Sequence, residues 1–446
     1  MLRSALASTA SAANTAGKLL RSRSVATLVP AQRVAGAGTD VWTLFNQATA
    51  KYGAVNLGQG FMNFPARDFV KEAARAAVLT DANNQYSPTR GRPRLRQALA
   101  AFYSPIFGRP LDADSEIIVT AGGNEGILSI LAAYINPGDE VLLMEPAFDQ
   151  YMPNITMMGG VPVFCPLRVR AGVDPSAGNV SASTDWVLDL DEYERCITPR
   201  TRVLIVNTPH NPLGKVFTRD ELAAIGDIAK RHNLLVLSDE VYDQLVYPGS
   251  THTQIATLPG MWERTITVGS AGKTFGVTGW RVGWQIGPRE LIEPSLTAHT
   301  RIVFCVNSPL QEAVASAFEQ APGRRFFETQ RAEYLARRDK LSAALSGAGL
   351  PHTVPDGSYF ILVNGARIQI PRDCDFPAEV AARGHSFKLT YFFTKQLGVS
   401  GIPPTEFYSD AHRHLAENYV RLAFCKTDDV LDEAARRLER VRTYLA

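Results

Sequence analysis

The stretch Gly269-Ser-Ala-Gly-Lys273-Thr-Phe-Gly-Val-Thr-Gly-Trp-Arg281-Val-Gly-Trp284 places one lysine in a glycine-rich turn, directly after the β-branched run Thr265-Ile-Thr-Val268. The run has the composition of a buried strand. The turn carries Ser270, Ala271, Gly272 and Gly276, small residues that leave space for a bulky group against the backbone. An amine held in such a crowded, partly desolvated place loses its proton more readily and can add to a carbonyl. The expectation is a Schiff-base lysine at position 273. Taken alone, a lysine on a strand-to-helix turn is more often a solvated surface amine, so the surrounding chain has to decide.

Outward from this turn, strands and helices alternate. Glu116–Thr120, Glu140–Met144, Val161–Cys165, Arg202–Asn207, Leu234–Ser238, Thr265–Val268 and Arg281–Ile286 read as short buried strands. Helices fall between several of them, as at Thr218–His232, where Thr218 and Glu221 form a capping box. This alternation predicts an α/β fold, a mostly parallel sheet sandwiched by helices. Ligands in such sheets lie beyond the carboxyl ends of the strands. On the amino-terminal side, Asp40 caps a helix from Val41 to about Tyr52. Val55-Asn-Leu-Gly-Gln-Gly-Phe61 is a short strand ending in glycines, and helices follow at Phe69–Leu79 and Arg92–Tyr103. The segment from Arg168 to Asp185 reads as a surface loop. A long charged helix, Arg324–Leu345, leads into a smaller α+β domain with strands Tyr359–Val363 and Tyr419–Phe424 and helices Phe387–Gln396 and Asp428–Leu445. The expected layout is an arm over 1–38, a segment over 39–70 that joins the small domain, a large domain over 71–323 and a small domain over 324–446.

With 446 residues, the chain is too long for one ordinary core. A formal net charge of +2 with 20% charged residues argues against a nucleic-acid or membrane-surface role resting on bulk charge. No run approaches the roughly 18 apolar residues of a membrane span. Cys165, Cys196, Cys305, Cys374 and Cys425 are scattered without a C-x-x-C pair, which suits reduced thiols and offers no metal site. The arm differs from the rest. It carries Arg3, Lys18, Arg21, Arg23 and Arg33, has no acid before Asp40 and is rich in Ser, Thr and Ala. That composition is expected of a mitochondrial transit peptide and addresses the chain to the matrix. An arm that stays attached leaves a cytoplasmic form open.

Four further stretches bear on Lys273. Asn207-Thr-Pro-His-Asn211-Pro-Leu-Gly214 is a rigid turn after a strand that aims the Asn211 amide outward, suited to a phenolate oxygen. In Ser238-Asp239-Glu-Val-Tyr242 an acid ends an apolar strand; a buried carboxylate there needs a cation, and a pyridine nitrogen supplies one. Tyr242 could donate to the same ring's oxygen. Gly122-Gly123-Asn124 opens a helix, where backbone N–H groups and the helix dipole favour a phosphate, with Ser270 and Arg281 near enough in sequence to add a hydroxyl and a positive charge. Glu145-Pro-Ala-Phe148-Asp-Gln-Tyr151 offers Phe148 to stack on a flat ring. Singly each has a structural reading: a rigid turn, a cap, a common glycine turn, a core aromatic. Together they describe one ligand, a phosphorylated pyridine aldehyde.

The ordered set N-x-x-x-N-P-x-G, D-E-x-Y and S-x-x-K followed by G-W-R resembles the fold-type I, class I/II aminotransferases over nearly all of Asp40 to Ala446. Val55–Phe61, Asn207–Phe217 and Gly269–Trp284 are most similar to the kynurenine aminotransferase/cysteine-conjugate β-lyase (glutamine transaminase K) branch. The resemblance implies pyridoxal 5′-phosphate as cofactor and Lys273 as its Schiff-base partner and proton shuttle. It implies Asp239 on the pyridine nitrogen, Asn211 and Tyr242 on the ring oxygen, and Gly123, Asn124, Ser270 and Arg281 on the phosphate, with Phe148 stacked on the ring. It further implies that Arg421 grips the substrate carboxylate, with Gly60 and Trp42 lining the substrate side. Tyr86 would reach the phosphate of a neighbouring subunit, hence a homodimer with shared active sites. The expected activity is transamination between a small-molecule amino acid, aromatic or sulfur-bearing and above all kynurenine, and a 2-oxo acid. The rivals are cysteine-conjugate β-elimination and an aminotransferase of glutamine, alanine or aspartate type. A non-catalytic cofactor-sensing regulator would need a helix-turn-helix module that residues 1–39 are too short to supply. The chain departs from the branch at Asn124, at Met62-Asn63 and in the longer Gly365–Gly384 segment, all expected near the substrate pocket.

Overall fold

Seven strands make the central sheet of the computed structural model, which describes residues 31–34, 40–176 and 180–446. In chain order they are β1 Ile117–Thr120, β2 Glu140–Glu145, β3 Val161–Pro166, β4 Thr201–Asn207, β5 Leu235–Asp239, β6 Thr265–Ser270 and β7 Gly283–Ile286. Side by side they run β1-β7-β6-β5-β4-β2-β3. Only β7 is antiparallel to its neighbours, so the other six strands deliver their carboxyl ends to one edge. This is the expected α/β sheet.

The strands are apolar runs because helices cover both faces. Alternate residues enter different cores, as the two-residue strand repeat requires: Leu143, Ile205 and Val268 go to one, Leu142, Leu204 and Val206 to the other. Each such side chain contributes roughly 1.5–3 kcal/mol when fully buried. Register then fixes the chemistry of the edge. Asn207 lies beside Asp239 and Asp239 beside Val268, while Ser270, Gly283 and Thr120 form a neighbouring row.

Three helices bring residues near this edge. Helix α1, Val41–Tyr52, starts where the Asp40 carboxylate accepts from the Trp42 and Thr43 N–H groups, and ends at Gly53 in a left-handed conformation. Helix α2 is Gly123–Tyr134 and helix α3 is Phe326–Gly347. The Thr218–Glu221 capping box forms as expected on the helix Arg219–Arg231, worth about 1 kcal/mol.

A second sheet contains β8 His352–Val354, β9 Phe360–Asn364 and β10 Tyr419–Ala423, with Val180–Ala182 as its outer strand beside β8. Its core includes Tyr334, Leu341, Tyr359, Ile361, Phe392 and Leu422. Thr39–Ala446 packs as one compact unit.

Several expectations need correction. The segment read as a loop over 168–185 contributes Val180–Ala182 to the second sheet, and Arg168–Val169 pairs with Trp186–Val187. Pieces of two or three residues show no repeat, so their partners alone define them. The helix expected over Phe387–Gln396 is α-helical from His385 to Phe392, then widens to a π turn, Phe393–Leu397, closed by left-handed Gly398. The last helix stops at Leu438 and continues as a tighter 3-10 turn, Glu439–Tyr444. Arg281 belongs to a turn before β7, with φ 53° and ψ 52°. The expected targeting arm, 1–38, lies outside the described residues apart from 31–34, which contain the short turn Gln32–Val34. No described helix is long and apolar enough to cross a membrane.

Candidate active site

The carboxyl edge of the large sheet opens into a cavity of about 180 Å³, lined by Gly123, Asn124, Phe148, Asn211, Asp239, Tyr242, Ser270, Lys273 and Arg281 among others. A larger surface cleft, about 520 Å³ beside Pro248 and Arg331, contains none of them. The sequence motifs thus converge because each follows the end of a parallel strand, except that Arg281 precedes the antiparallel β7.

Two glycines around Lys273 have close neighbours in the protein itself. A Cβ on Gly269 would lie 2.1 Å from Trp284 Nε1, and one on Gly272 would lie 2.9 Å from Thr278 Cα. Gly276 has φ +72°, which favours glycine for backbone reasons. Gly269 and Gly272 thus make room for protein packing. Gly283 is required for the approach of two strand ends: a Cβ there would be 2.7 Å from Gly122 C and 2.9 Å from Gly123 N. That contact brings β7 against the amino end of α2.

Lys273 is partly buried, and its Nζ donates to Tyr359 Oη (2.8 Å) and to the Gly60 carbonyl (3.2 Å). Burial pulls its pKa down from 10.5 to about 8, against a smaller upward pull from Cys425. A large fraction is therefore free base near pH 8, as a nucleophilic amine requires.

Asp239 is buried, and burial raises its carboxyl to about 6 despite the Tyr151 hydroxyl donating to Oδ2 at 2.5 Å and the Val241 N–H to Oδ1 at 3.3 Å. It makes no ion pair among the described residues. Asn207 holds the adjoining backbone: its Nδ2 donates to the Asp239 carbonyl (3.0 Å) and its Oδ1 accepts from the Asn211 N–H (2.8 Å). A buried carboxylate in this state is stabilised by any cation brought to it.

At the other end, the Arg281 guanidinium lies over Gly122, where an added Cβ would be 2.5 Å from Nη2. It donates to the Thr278 carbonyl (3.2 Å) and the Ala121 carbonyl (3.4 Å). It lines the same cavity as Ser270 and the amino end of α2, an arrangement of donors that suits an anion. Asn124 Oδ1 accepts from Asn154 Nδ2 (3.0 Å), and Phe148 sits edge-on to Tyr151 at 5.5 Å.

Arg421, on β10, is 1% exposed. Its Nη1 donates to Asn211 Oδ1 (3.0 Å) and its Nη2 to the Gly58 carbonyl (2.8 Å), while Nε has no hydrogen-bond partner among the described residues. Burial lowers its pKa to about 10, and no carboxylate pairs with it among the described residues. Phe360, Phe407 and Trp42 surround it at 4.3, 5.0 and 5.3 Å, and Trp42 Nε1 donates to Asp149 Oδ2 (2.7 Å). A buried cation left this way awaits an anion from outside. Tyr86 lies apart from the cavity, 84% exposed and edge-on to exposed Phe304 at 5.5 Å.

Four residues escaped the sequence reading. Tyr151 and Asn207 stood inside quoted motifs, but spacing alone could not show that both reach Asp239. Tyr359 and Lys426 carry no motif; a buried lysine in the strand-end run Cys425-Lys426 was the available signal.

The donor set, an amine, an unpaired buried carboxylate and an anion-binding helix end around one slot, fits a flat anionic carbonyl compound. The family model for aminotransferase class I and II matches residues 52–438. The chain belongs to that family. This aminotransferase is 43% identical to "Probable kynurenine–oxoglutarate transaminase BNA3" of Saccharomyces cerevisiae, over 91% of its own length and 93% of that protein's. It is 40% identical to kynurenine–oxoglutarate transaminase of Dictyostelium discoideum, over 93% and 97%. The crystal structure of yeast Bna3p superposes with a TM-score of 0.90 at 42% identity, covering 94% of the aminotransferase and all of that chain.

Proposed function

We propose that this aminotransferase uses pyridoxal 5′-phosphate to move the amino group of an aromatic or sulfur-bearing amino acid, kynurenine first, to a 2-oxo acid. It would do so as a homodimer in the mitochondrial matrix. The observation that carries the reading is a pair of cations without acid partners among the described residues: Lys273 lines the cavity, and Arg421 is tied to the cavity residue Asn211 and, like Lys273, to the Gly58–Gly60 backbone.

When bound, the cofactor supplies a carbonyl for Lys273 and an electron sink for charge developed at the amino acid's Cα. Asp239 would face the ring nitrogen and keep it protonated, which relieves the cost of its own burial. The Asn211 amide, whose oxygen is taken by Arg421, has its NH₂ free to join the Tyr242 hydroxyl on the ring oxygen. Gly123, Asn124, Ser270 and Arg281 would hold the phosphate, and Phe148 would cover the ring. Arg421 would take the amino acid's carboxylate with Nε and a second N–H. That fixes Cα where Lys273 Nζ can take its proton. Trp42, Phe360 and Phe407 packed around the Arg421 guanidinium give aromatic surroundings that suit a flat donor side chain, and the relatives named above support kynurenine. Tyr86, exposed beside Phe304, suits contact with the phosphate of a second copy.

The test is a panel of amino donors against several 2-oxo acids, with kynurenate formation followed directly. Kynurenine turnover well above that of aspartate and alanine is expected. Release of pyruvate and ammonia from cysteine conjugates without an oxo acid, in place of transamination, would overturn the reading. Sedimentation and organelle fractionation test the dimer and the matrix location.

A further inference from the structure

Between the short strand at Val55–Asn56 and Met62, four consecutive carbonyls are each held by a side chain from a distant part of the chain. Gly58 O accepts from Arg421 Nη2 (2.8 Å) and Gln59 O from Lys426 Nζ (3.0 Å). Gly60 O accepts from Tyr359 Oη (2.7 Å) as well as Lys273 Nζ (3.2 Å). Phe61 O accepts from Lys426 Nζ (2.7 Å), with Cys425 Sγ at 3.5 Å. The approach is so close that Cβ atoms would collide: one on Gly58 would lie 2.9 Å from Gly401 O, and one on Gly60 2.9 Å from Phe360 Cζ. Backbone held at every carbonyl has little freedom, so Gly60 O is a fixed point beside Lys273.

Tyr359 completes that point. Its hydroxyl donates to Gly60 O and accepts from Lys273 Nζ (2.8 Å), using its donor and one lone pair. The ring is wedged between Phe360 (4.6 Å), Tyr242 (5.2 Å, edge-on) and Tyr334 (6.2 Å, stacked). Burial pushes the phenol well above 10, so it stays neutral while Lys273 titrates. We propose that Tyr359 is a positioning residue for transamination: its hydroxyl holds the free Lys273 amine against the Gly60 carbonyl. Each time a substrate displaces the amine, it is retained at one place rather than swinging among rotamers. The inference rests on the reading of Lys273 as the reactive amine.

The variant Tyr359→Phe keeps the ring and removes only the hydroxyl. Of the other groups facing Lys273, Cys425 and Asp239 pull its pKa up while Arg421 and Arg281 pull it down, and the Tyr242 ring lies 5.7 Å from Nζ; all of these remain in the variant. Loss of an acceptor disfavours the ammonium, so the amine titrates at lower pH. Labelling of Lys273 by an acylating reagent in the full-length protein stripped of cofactor, read by mass spectrometry from pH 6 to 10, should move its midpoint acid by about one unit. In the loaded enzyme, kcat should fall about tenfold with KM nearly unchanged, since the residue acts on the amine. Melting temperature should stay within a few degrees of the parent. The proposal requires both the midpoint shift and the kcat loss; if either is missing, Tyr359 only packs. A Lys273→Ala variant with ordinary turnover would instead overturn the reading of Lys273 itself, so the two failures are distinguishable.

Discussion

The two sides of the site that meet at Lys273, the wall that lines the cavity and the wall of side chains packed behind it, are built in opposite ways. The wall formed by Asp239, Asn211, Ser270 and α2 rises from one mostly parallel sheet, where register sets Asn207 beside Asp239 on parallel strands and Ser270 beside Gly283 on the antiparallel β7. The wall formed by Gly58–Phe61, Tyr359 and Arg421–Lys426 is assembled across the chain: Tyr359 meets Gly60 at a separation of 299 residues and Lys426 meets Gln59 at 367. The first wall presents a carboxylate and a helix end that suit a cofactor. The second holds backbone and a buried guanidinium that suit a substrate. Lys273 bonds to the second while standing on the first.

Substitutions should separate the walls. Lys273→Ala, at their junction, should lower turnover with every donor by about 10⁴-fold or more while leaving the fold intact. Asp239→Asn belongs to the sheet wall and should slow proton transfer roughly 10²–10³-fold without loss of cofactor. Its effect on the cofactor-free protein should have the opposite sign. Because the folded carboxyl titrates near 6 against an ordinary 3.8, the native state keeps its proton to higher pH than the unfolded chain. This group's contribution to stability is therefore fully present below pH about 4 and is lost as pH rises through about 6. Asn avoids that loss, so cofactor-free Asp239→Asn should be more stable than its parent at pH 8, by on the order of 1–3 kcal/mol; chemical denaturation reads it.

The other wall should respond through donor binding. Arg421→Lys replaces a two-pronged guanidinium with a point charge and should cost about 100-fold in kcat/KM for all α-amino acids. Lys426→Met frees the Gln59 and Phe61 carbonyls and should raise donor KM about tenfold, with cofactor affinity unchanged. Cofactor loss in Lys426→Met, or unchanged donor KM, would erase the distinction between the walls.

The same division decided what could be read from the sequence. Asp239, Asn211, Ser270, Lys273 and Arg281 were legible because each belongs to a short local motif at the end of an apolar run. The strands of the large sheet were legible because both faces are buried. Tyr359 and Lys426 were not, since no local pattern distinguishes a buried tyrosine that packs from one that also reaches a lysine. Val180–Ala182 was missed because a three-residue strand is defined by its partner β8. Two glycines of this turn also have a packing reason that the sequence does not show: Trp284 stands over Gly269 and Thr278 over Gly272.

Among the described residues, two partly or fully buried lysines with lowered pKa stand close to this site, Lys273 and Lys426, and only the first lines the cavity. Reduction of the cofactor-loaded protein with borohydride, followed by peptide mapping, tells them apart. The pyridoxyl group should be found on the peptide containing Lys273 and nowhere else. Its recovery on Lys426, or on no lysine at all, would contradict the assignment of Lys273 as the reactive amine.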